Sequence, residues 1–96
     1  MIKWVWYVQV SEGKMDEFFR WAKEVVTYAN ANWPELKAQI LWQRFAAPRD
    51  RGYFMADFED LASLDRWLKG DWGKVSTPPP GVFMWGTGEQ LLLESV

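Results

Sequence analysis

Few side chains in this sequence have both the type and the setting for chemistry. Arg44 stands in "AQILWQRFAA", two and four residues after Trp42 and Ile40. In a strand those three share a face, so an inward guanidinium there would hold an anion or a phenolate. The other reading is an edge arginine whose stem lies along the sheet and whose head reaches water. Tyr7 and Asp57 form a second candidate pair, expected to meet across neighbouring strands. A phenol beside a carboxylate can pass a proton. It can equally be a tyrosine hydroxyl satisfied by a carboxylate at a subunit interface. These three residues are the catalytic candidates.

Aromatic surface, by contrast, is abundant: eight Trp, six Phe and three Tyr in 96 residues. Each buried aromatic covers roughly 150–250 Å², more than a small core can hide from so many. Part of it should line a pocket, a subunit interface or both. Trp4, Trp6, Phe54, Phe58 and Trp67 are the expected walls of an apolar slot. Trp72, Phe83 and Trp85, from the segment "GDWGKVSTPPPGVFMWGTG", are expected to close it.

The composition narrows the chemistry. Histidine and cysteine are both absent. The usual zinc sites, thiolate nucleophiles and the proximal haem histidine go with them. No acidic cluster suggests a magnesium or calcium site, so no metal and no cofactor is expected. The net charge of −2 and the lack of a basic run speak against phosphate backbones and anionic lipid. No apolar run approaches a membrane span, and the N-terminus lacks the pattern of a signal peptide. A cytoplasmic location is the expectation.

The elements that must position these residues can be read along the chain. Residues 2–10 alternate, with Ile2, Trp4, Trp6, Val8 and Val10 on one face and Lys3, Val5, Tyr7 and Gln9 on the other. That period marks a strand. From Met15, apolar residues recur at three and four through Phe18, Phe19, Ala22, Val25, Val26 and Ala29, the signature of an amphipathic helix. Trp21 and Tyr28 are placed at its flank, as amphipathic rings or as a ridge for a partner subunit. Trp33-Pro34 ends that helix. Strands follow at 38–47 and 52–59, joined by "PRDRG", which suits a type I turn with a glycine bulge. "DLASLDRWLKG" is a second helix, with Asp60 as N-cap and Gly70 at C′. "EQLLLESV" closes as a strand. The loop before it is too long to be a plain connection and too aromatic to be disordered. It is expected to pack as a structural arm or as a pocket lid, and "GVFMW" within it has strand character.

This order is a single α+β domain over 1–96: ferredoxin-like βαββαβ, a four-stranded antiparallel sheet with two helices on one face. The second face carries Val5, Tyr7, Leu41, Phe45, Tyr53 and Met55 among glutamines and Asp57. It is too apolar for water and too polar for a dry core, which points to a homodimer packed sheet to sheet.

The "WVWYVQV" strand, the "DEFFRWAKEVV" helix and the "YFMADFEDLASLDRWL" passage resemble the dimeric α+β barrel superfamily, antibiotic-biosynthesis-monooxygenase-like and NIPSNAP-like. The likeness covers residues 1–70 and the last strand. It implies a homodimer, two sheets forming a barrel, and an apolar pocket in each subunit. Some members are cofactor-independent oxygenases of polycyclic phenols, and others degrade haem. Trp67 matches a tryptophan that recurs on the second helix of the enzymes. The oxygenases' first-strand asparagine has no match, since Trp4 and Trp6 occupy that region, and the haem-degrading branch's histidine has none.

The expected function is therefore a homodimeric binder of an apolar or aromatic small molecule. The alternative is a cofactor-independent monooxygenase or isomerase acting on a phenolic substrate. A third reading comes from the shared element order: "RGYFMADF" agrees in part with the octapeptide of RNA-recognition domains, at Arg51, Gly52, Tyr53 and Phe58. Phe54 and Met55 depart from it, and the acidic balance opposes it, so no nucleic-acid partner is expected.

Overall fold

The computed structural model describes residues 1–70 and 77–95. In it, β1 (Ile2–Val10) leads into α1 (Met15–Asn32), and a turn of 3-10 helix (Pro34–Leu36) follows. Next come β2 (Gln39–Gln43), β3 (Arg51–Phe58), α2 (Leu61–Leu68) and β4 (Phe83–Glu94). The four strands form one antiparallel sheet in the order β2-β3-β1-β4. The architecture is the ferredoxin-like α+β fold read from the sequence.

The even-numbered face of β1 and β3 turns toward the helices. Val8, Val10 and Phe54 pack there against Phe18 and Ala22 of α1, and Val82 and Phe83 complete that core. A second cluster gathers Ala56 and Phe58 of β3 with Leu36 and with Leu64 of α2. Both helices owe their place to an apolar stripe that the sheet buries; helix propensity alone would not hold an eight-residue α2.

Gly52 has a steric reason to be glycine. A Cβ there would lie 2.7 Å from two ring carbons of Phe18. The ring lies over the strand backbone, and the strand admits no side chain beneath it. Gly52 is thus an interior residue of β3, paired with Val8 and Trp42, rather than the bulge of a turn. Gly70 is not a left-handed C′ residue either. Its constraint is contact: a Cβ would meet the Trp33 ring at 2.8 Å.

Two boundaries differ substantially from the sequence reading. β2 stops at Gln43, whose carbonyl accepts from Asp50 N–H at 2.9 Å, so residues 44–50 form the loop. The left-handed positions in it are Ala46 and Asp50. β4 begins at Phe83, much earlier than expected, and absorbs most of what read as loop. The period was hidden by an irregularity: Tyr7 pairs with Glu89 but Gln9 with Met84, so "WGTG" at 85–88 bows out of the ladder. Thr87 repairs the gap, its hydroxyl accepting from Gln9 N–H at 3.0 Å and donating to the Met84 carbonyl at 2.6 Å.

Asp60 caps α2 as expected, its carboxylate accepting from Ser63 N–H at 2.8 Å and from the Ser63 hydroxyl at 3.0 Å. The backbone bond and then the hydroxyl bond hold its carboxyl below the ordinary aspartate range. A lowered folded-state pKa adds stability above the unfolded pKa, and that stability is lost as pH falls through the folded value. Asp60→Ala should therefore lower the melting temperature at pH 7, and the gap from the parent should close at an acid pH below the ordinary aspartate range. A gap that persists unchanged to that pH would assign the effect to something other than the ionised cap.

Candidate functional site

Between the helix-facing side of the sheet, α1 and α2 lies a cavity of about 430 Å³. That is within the range of small-molecule sites, roughly 300–1,000 Å³. Strand alternation supplies one wall: Trp4 and Trp6 from β1, Phe54 and Ala56 from β3, Ile40 from β2. Trp21, Val25, Val26 and Ala29 come from α1, Trp67 and Leu68 from α2, and Thr77 with Pro78 from the segment before β4. Small residues make the space. Ala29 and Ala56 stand where larger side chains would fill it, and the bulky rings stand around them.

The rings are fixed by one another. The Trp4 and Trp67 rings lie 4.8 Å apart and tilted, and Trp6 sits 4.8 Å from Phe54. Trp21 meets Phe54 edge-on at 5.6 Å and Phe83 at 5.2 Å. Edge-to-face contacts of this kind add stability beyond area burial and hold ring planes at set angles. The Trp4 indole N–H is buried and has no hydrogen-bond partner among the described residues.

The sequence candidates are distributed unevenly. Trp4, Trp6, Phe54 and Trp67 line the cavity. Phe58 is fully buried in the packing beneath α2, and Phe83 in the core beside Phe18. Trp85 lies outside, exposed at the sheet edge and stacked at 6.1 Å on Trp6. Trp72 lies outside the described residues. Trp21, placed at the helix flank by the sequence reading, is a wall residue instead. Its spacing from Phe18 and Val25, three and four, already put it on the stripe; its indole made it read as interfacial.

The three catalytic candidates are away from the cavity. Arg44 falls beyond the end of β2, so strand alternation no longer governs it. It stacks over Trp42 at 5.6 Å and Phe45 at 5.3 Å on the outside of the molecule. Tyr7 and Asp57 do not meet. Tyr7 is opposite Tyr53 and Asp57 opposite Lys3, with which it forms an ion pair at 2.9 Å. The Tyr7 hydroxyl donates instead to the Glu89 carboxylate on β4, and that bond is the main reason its pKa is raised. Arg51 lies over the Tyr7 ring at 4.7 Å, and the Tyr53 hydroxyl donates to Gln43 at 2.8 Å. Glu89 was not singled out, because a pairing on the bowed β4 cannot be read from spacing.

Haem does not fit this donor set. Haem iron takes His, Cys, Met or Tyr as axial ligand. The chain has no His or Cys, and no Tyr lines the cavity. Met55 borders it but pairs with Val5 on the opposite face of the sheet. Among the described residues no Lys or Arg lines the space to meet propionates. Nor do the described residues gather three or more metal-ligating side chains anywhere, and no helix among them could cross a membrane.

The class of protein is thus a ferredoxin-like α+β domain with an aromatic cavity between sheet and helices. No protein-family model and no curated protein matches the sequence. Solved structures do match, each across 100% of this chain. An antibiotic biosynthesis monooxygenase superposes with TM-score 0.73 at 14% identity over 99% of its chain. An uncharacterized NIPSNAP domain protein from Burkholderia xenovorans gives 0.70 at 14% over 95%. A heme-degrader from Mycobacterium tuberculosis, with two hemes bound in its active site, gives 0.65 at 15% over 96%. The likeness read from the sequence, to antibiotic-biosynthesis-monooxygenase-like and NIPSNAP-like proteins, is the likeness of these structural neighbours. At such identities it is a likeness of fold.

Proposed function

We propose that this chain is a homodimeric small-molecule-binding protein whose cavity takes a planar, uncharged aromatic ligand. The observation that carries the reading is the cavity wall: four tryptophans around about 430 Å³, with no charged side chain among the described residues. A flat apolar ligand gains ring contacts there. An anionic one would lose its hydration with no cation to replace it. The neighbour with two hemes bound in its active site supports small-molecule binding by a protein of this fold, not a particular ligand.

The dimer reading rests on the opposite face. Leu41, Leu91 and Leu93 stay 50%, 41% and 49% exposed on it, beside half-buried Tyr7, Tyr53 and Met55. A second copy packed sheet to sheet would remove them from water.

Oxygenation or isomerisation of a phenol is the rival reading, favoured by the fold shared with the monooxygenase. It needs a group to draw off the phenolic proton. Arg44, Tyr7 and Asp57 stand elsewhere, and no titratable side chain of the described residues lines the cavity. Binding without turnover is therefore the conclusion.

Titrating the protein with anthracene and with a planar phenol, read by tryptophan fluorescence, tests this. Saturable quenching at one ligand per chain, with no oxygen consumed, is expected. Oxygen uptake on mixing with the phenol would establish the rival.

A further inference from the structure

β4 stands at the edge of the sheet, with β1 as its strand neighbour among the described residues. An edge of this kind is a template for another strand. The straight run at 89–94 holds neither proline nor lysine, the residues that most often blunt an edge. It is also apolar on both sides. Leu91 and Leu93 lie on the outer face, which the sheet-to-sheet contact proposed above would cover. Leu92 lies opposite Trp4 on the helix side, 49% exposed, where that contact does not reach.

Two further features share that edge and that side. Trp85 is 61% exposed, and its ring lies 6.1 Å from Trp6 and 5.2 Å from Phe83, both helix-side residues. Toward the other end, a groove runs between β4 and the start of α2. Ile2, Leu61 and Leu92 line it, and Glu59 and Glu94 form an acidic rim. The ladder to β1 gives their heights. Trp85 falls beside Val8, between Met84 opposite Gln9 and Glu89 opposite Tyr7. The groove falls at Ile2, opposite Glu94. Val5, opposite Leu91, lies midway between the ring and the hollow.

We infer that β4 pairs antiparallel with β4 of a second copy of this chain, edge to edge, with the Trp85 of each copy seated in the groove of the other. The two-fold axis passes through the edge at Leu91, normal to the sheet. Such an axis keeps helix side with helix side and exchanges the heights of ring and groove. Leu91 then faces its own counterpart, Leu92 faces Gln90, Leu93 faces Glu89 and Glu94 faces Gly88. Each pair has matching parity, so both its side chains fall on one face, as the pleat requires. No two carboxylates meet across the seam, and Glu89 is already held by the Tyr7 hydroxyl. The bow at 85–88 ends the new ladder and sets Trp85 beyond it, against leucines, with an indole N–H to offer the acidic rim. Each buried aromatic covers about 150–250 Å². Two of them, with two leucine grooves and two strand edges, reach the scale of roughly 1,000 Å² that a specific contact needs. The outer face stays free for the sheet-to-sheet contact, and the two contacts together give a particle of four chains.

The chain has no cysteine, so introduced ones report the register. Gln90→Cys and Leu92→Cys are made as separate variants, both on the helix side and out of reach of a copy on the outer face. Residues directly opposite stand about 4.5–5.5 Å apart at Cα, within the span of a disulfide. Those two residues off stand roughly 7–8 Å apart, beyond it. The two variants mixed under reducing conditions and then oxidised with glutathione disulfide should give several-fold more covalent dimer than either alone. Trp85→Ala removes both anchors of the contact and should weaken it roughly a hundredfold or more, with far-UV circular dichroism unchanged. In sedimentation equilibrium the parent is expected as a tetramer and Trp85→Ala as a dimer. No gain in cross-linking on mixing, or a parent dimer that Trp85→Ala leaves intact, overturns the edge contact and leaves the sheet-to-sheet reading standing. A parent dimer that Trp85→Ala reduces to a monomer supports the edge contact and overturns the sheet-to-sheet one. A parent monomer overturns both.

Discussion

Phe18→Ala should lower stability by about 3–5 kcal/mol, the cost of emptying a large aromatic site in a core that cannot collapse. Phe18 is 1% exposed and meets Phe54, Phe83 and Phe19 at centroid distances of 6.4, 5.9 and 5.7 Å. Its far end lies over Gly52, so the backbone of β3 forms the floor of its site. Removing the ring leaves a void bounded by strand backbone and by rings already held edge to face. Neither can move in to fill it. For a domain of this size the loss is a large part of a total near 5–15 kcal/mol. The melting temperature should fall by roughly 12–40 °C at matched protein concentration, read by circular dichroism. A loss below about 1 kcal/mol would mean that the helix-to-sheet core is not packed as described.

The second large effect falls on binding. Val26 is a half-buried wall residue of α1 facing the cavity floor formed by Phe54 and Ala56. Val26→Phe would put a ring into the space a ligand needs, and the empty cavity can take it without crowding the core. Fluorescence quenching by anthracene should weaken by roughly a hundredfold or more, since a filled apolar slot returns little of the ligand's burial energy. Thermal stability should hold or rise, because the added ring covers apolar surface. Those two readouts moving in opposite directions separate a filled cavity from a damaged fold. Equal quenching in variant and parent would place the ligand elsewhere.

How much of this was written in the sequence depends on the element. Where one period runs uninterrupted, the reading holds to within a residue or two. β1, α1 and β3 each present an unbroken apolar series, and Asp60 ahead of "LASLDRWL" marks α2 by its capping chemistry. Where the period breaks, it misleads. β4 reads as loop because residues 85–88 leave the ladder, and two glycines with a threonine there resemble a turn. Gln43 ends β2 although Arg44 and Phe45 continue its alternation, because the closing bond to Asp50 falls at Gln43.

The site shows the same division. Trp4, Trp6, Phe54 and Trp67 could be assigned to the cavity because alternation and helical spacing fix which way they face. Phe58 and Phe83 have the same chemistry and the correct side of the sheet, but helix and loop packing covers them. Sequence shows the face a residue takes, not the depth at which it lies. The polar candidates depended on finer matters still. Tyr7 found Glu89 rather than Asp57 because register, not proximity in the topology, decides which residues stand opposite.

The account turns on a space between sheet and helices that the chain itself leaves open. A crystal structure of the protein grown with anthracene examines that space directly. The account predicts one ligand per chain, lying flat among Trp4, Trp21 and Trp67. Density showing those indoles packed together, with the ligand absent or on the outer surface, would contradict it.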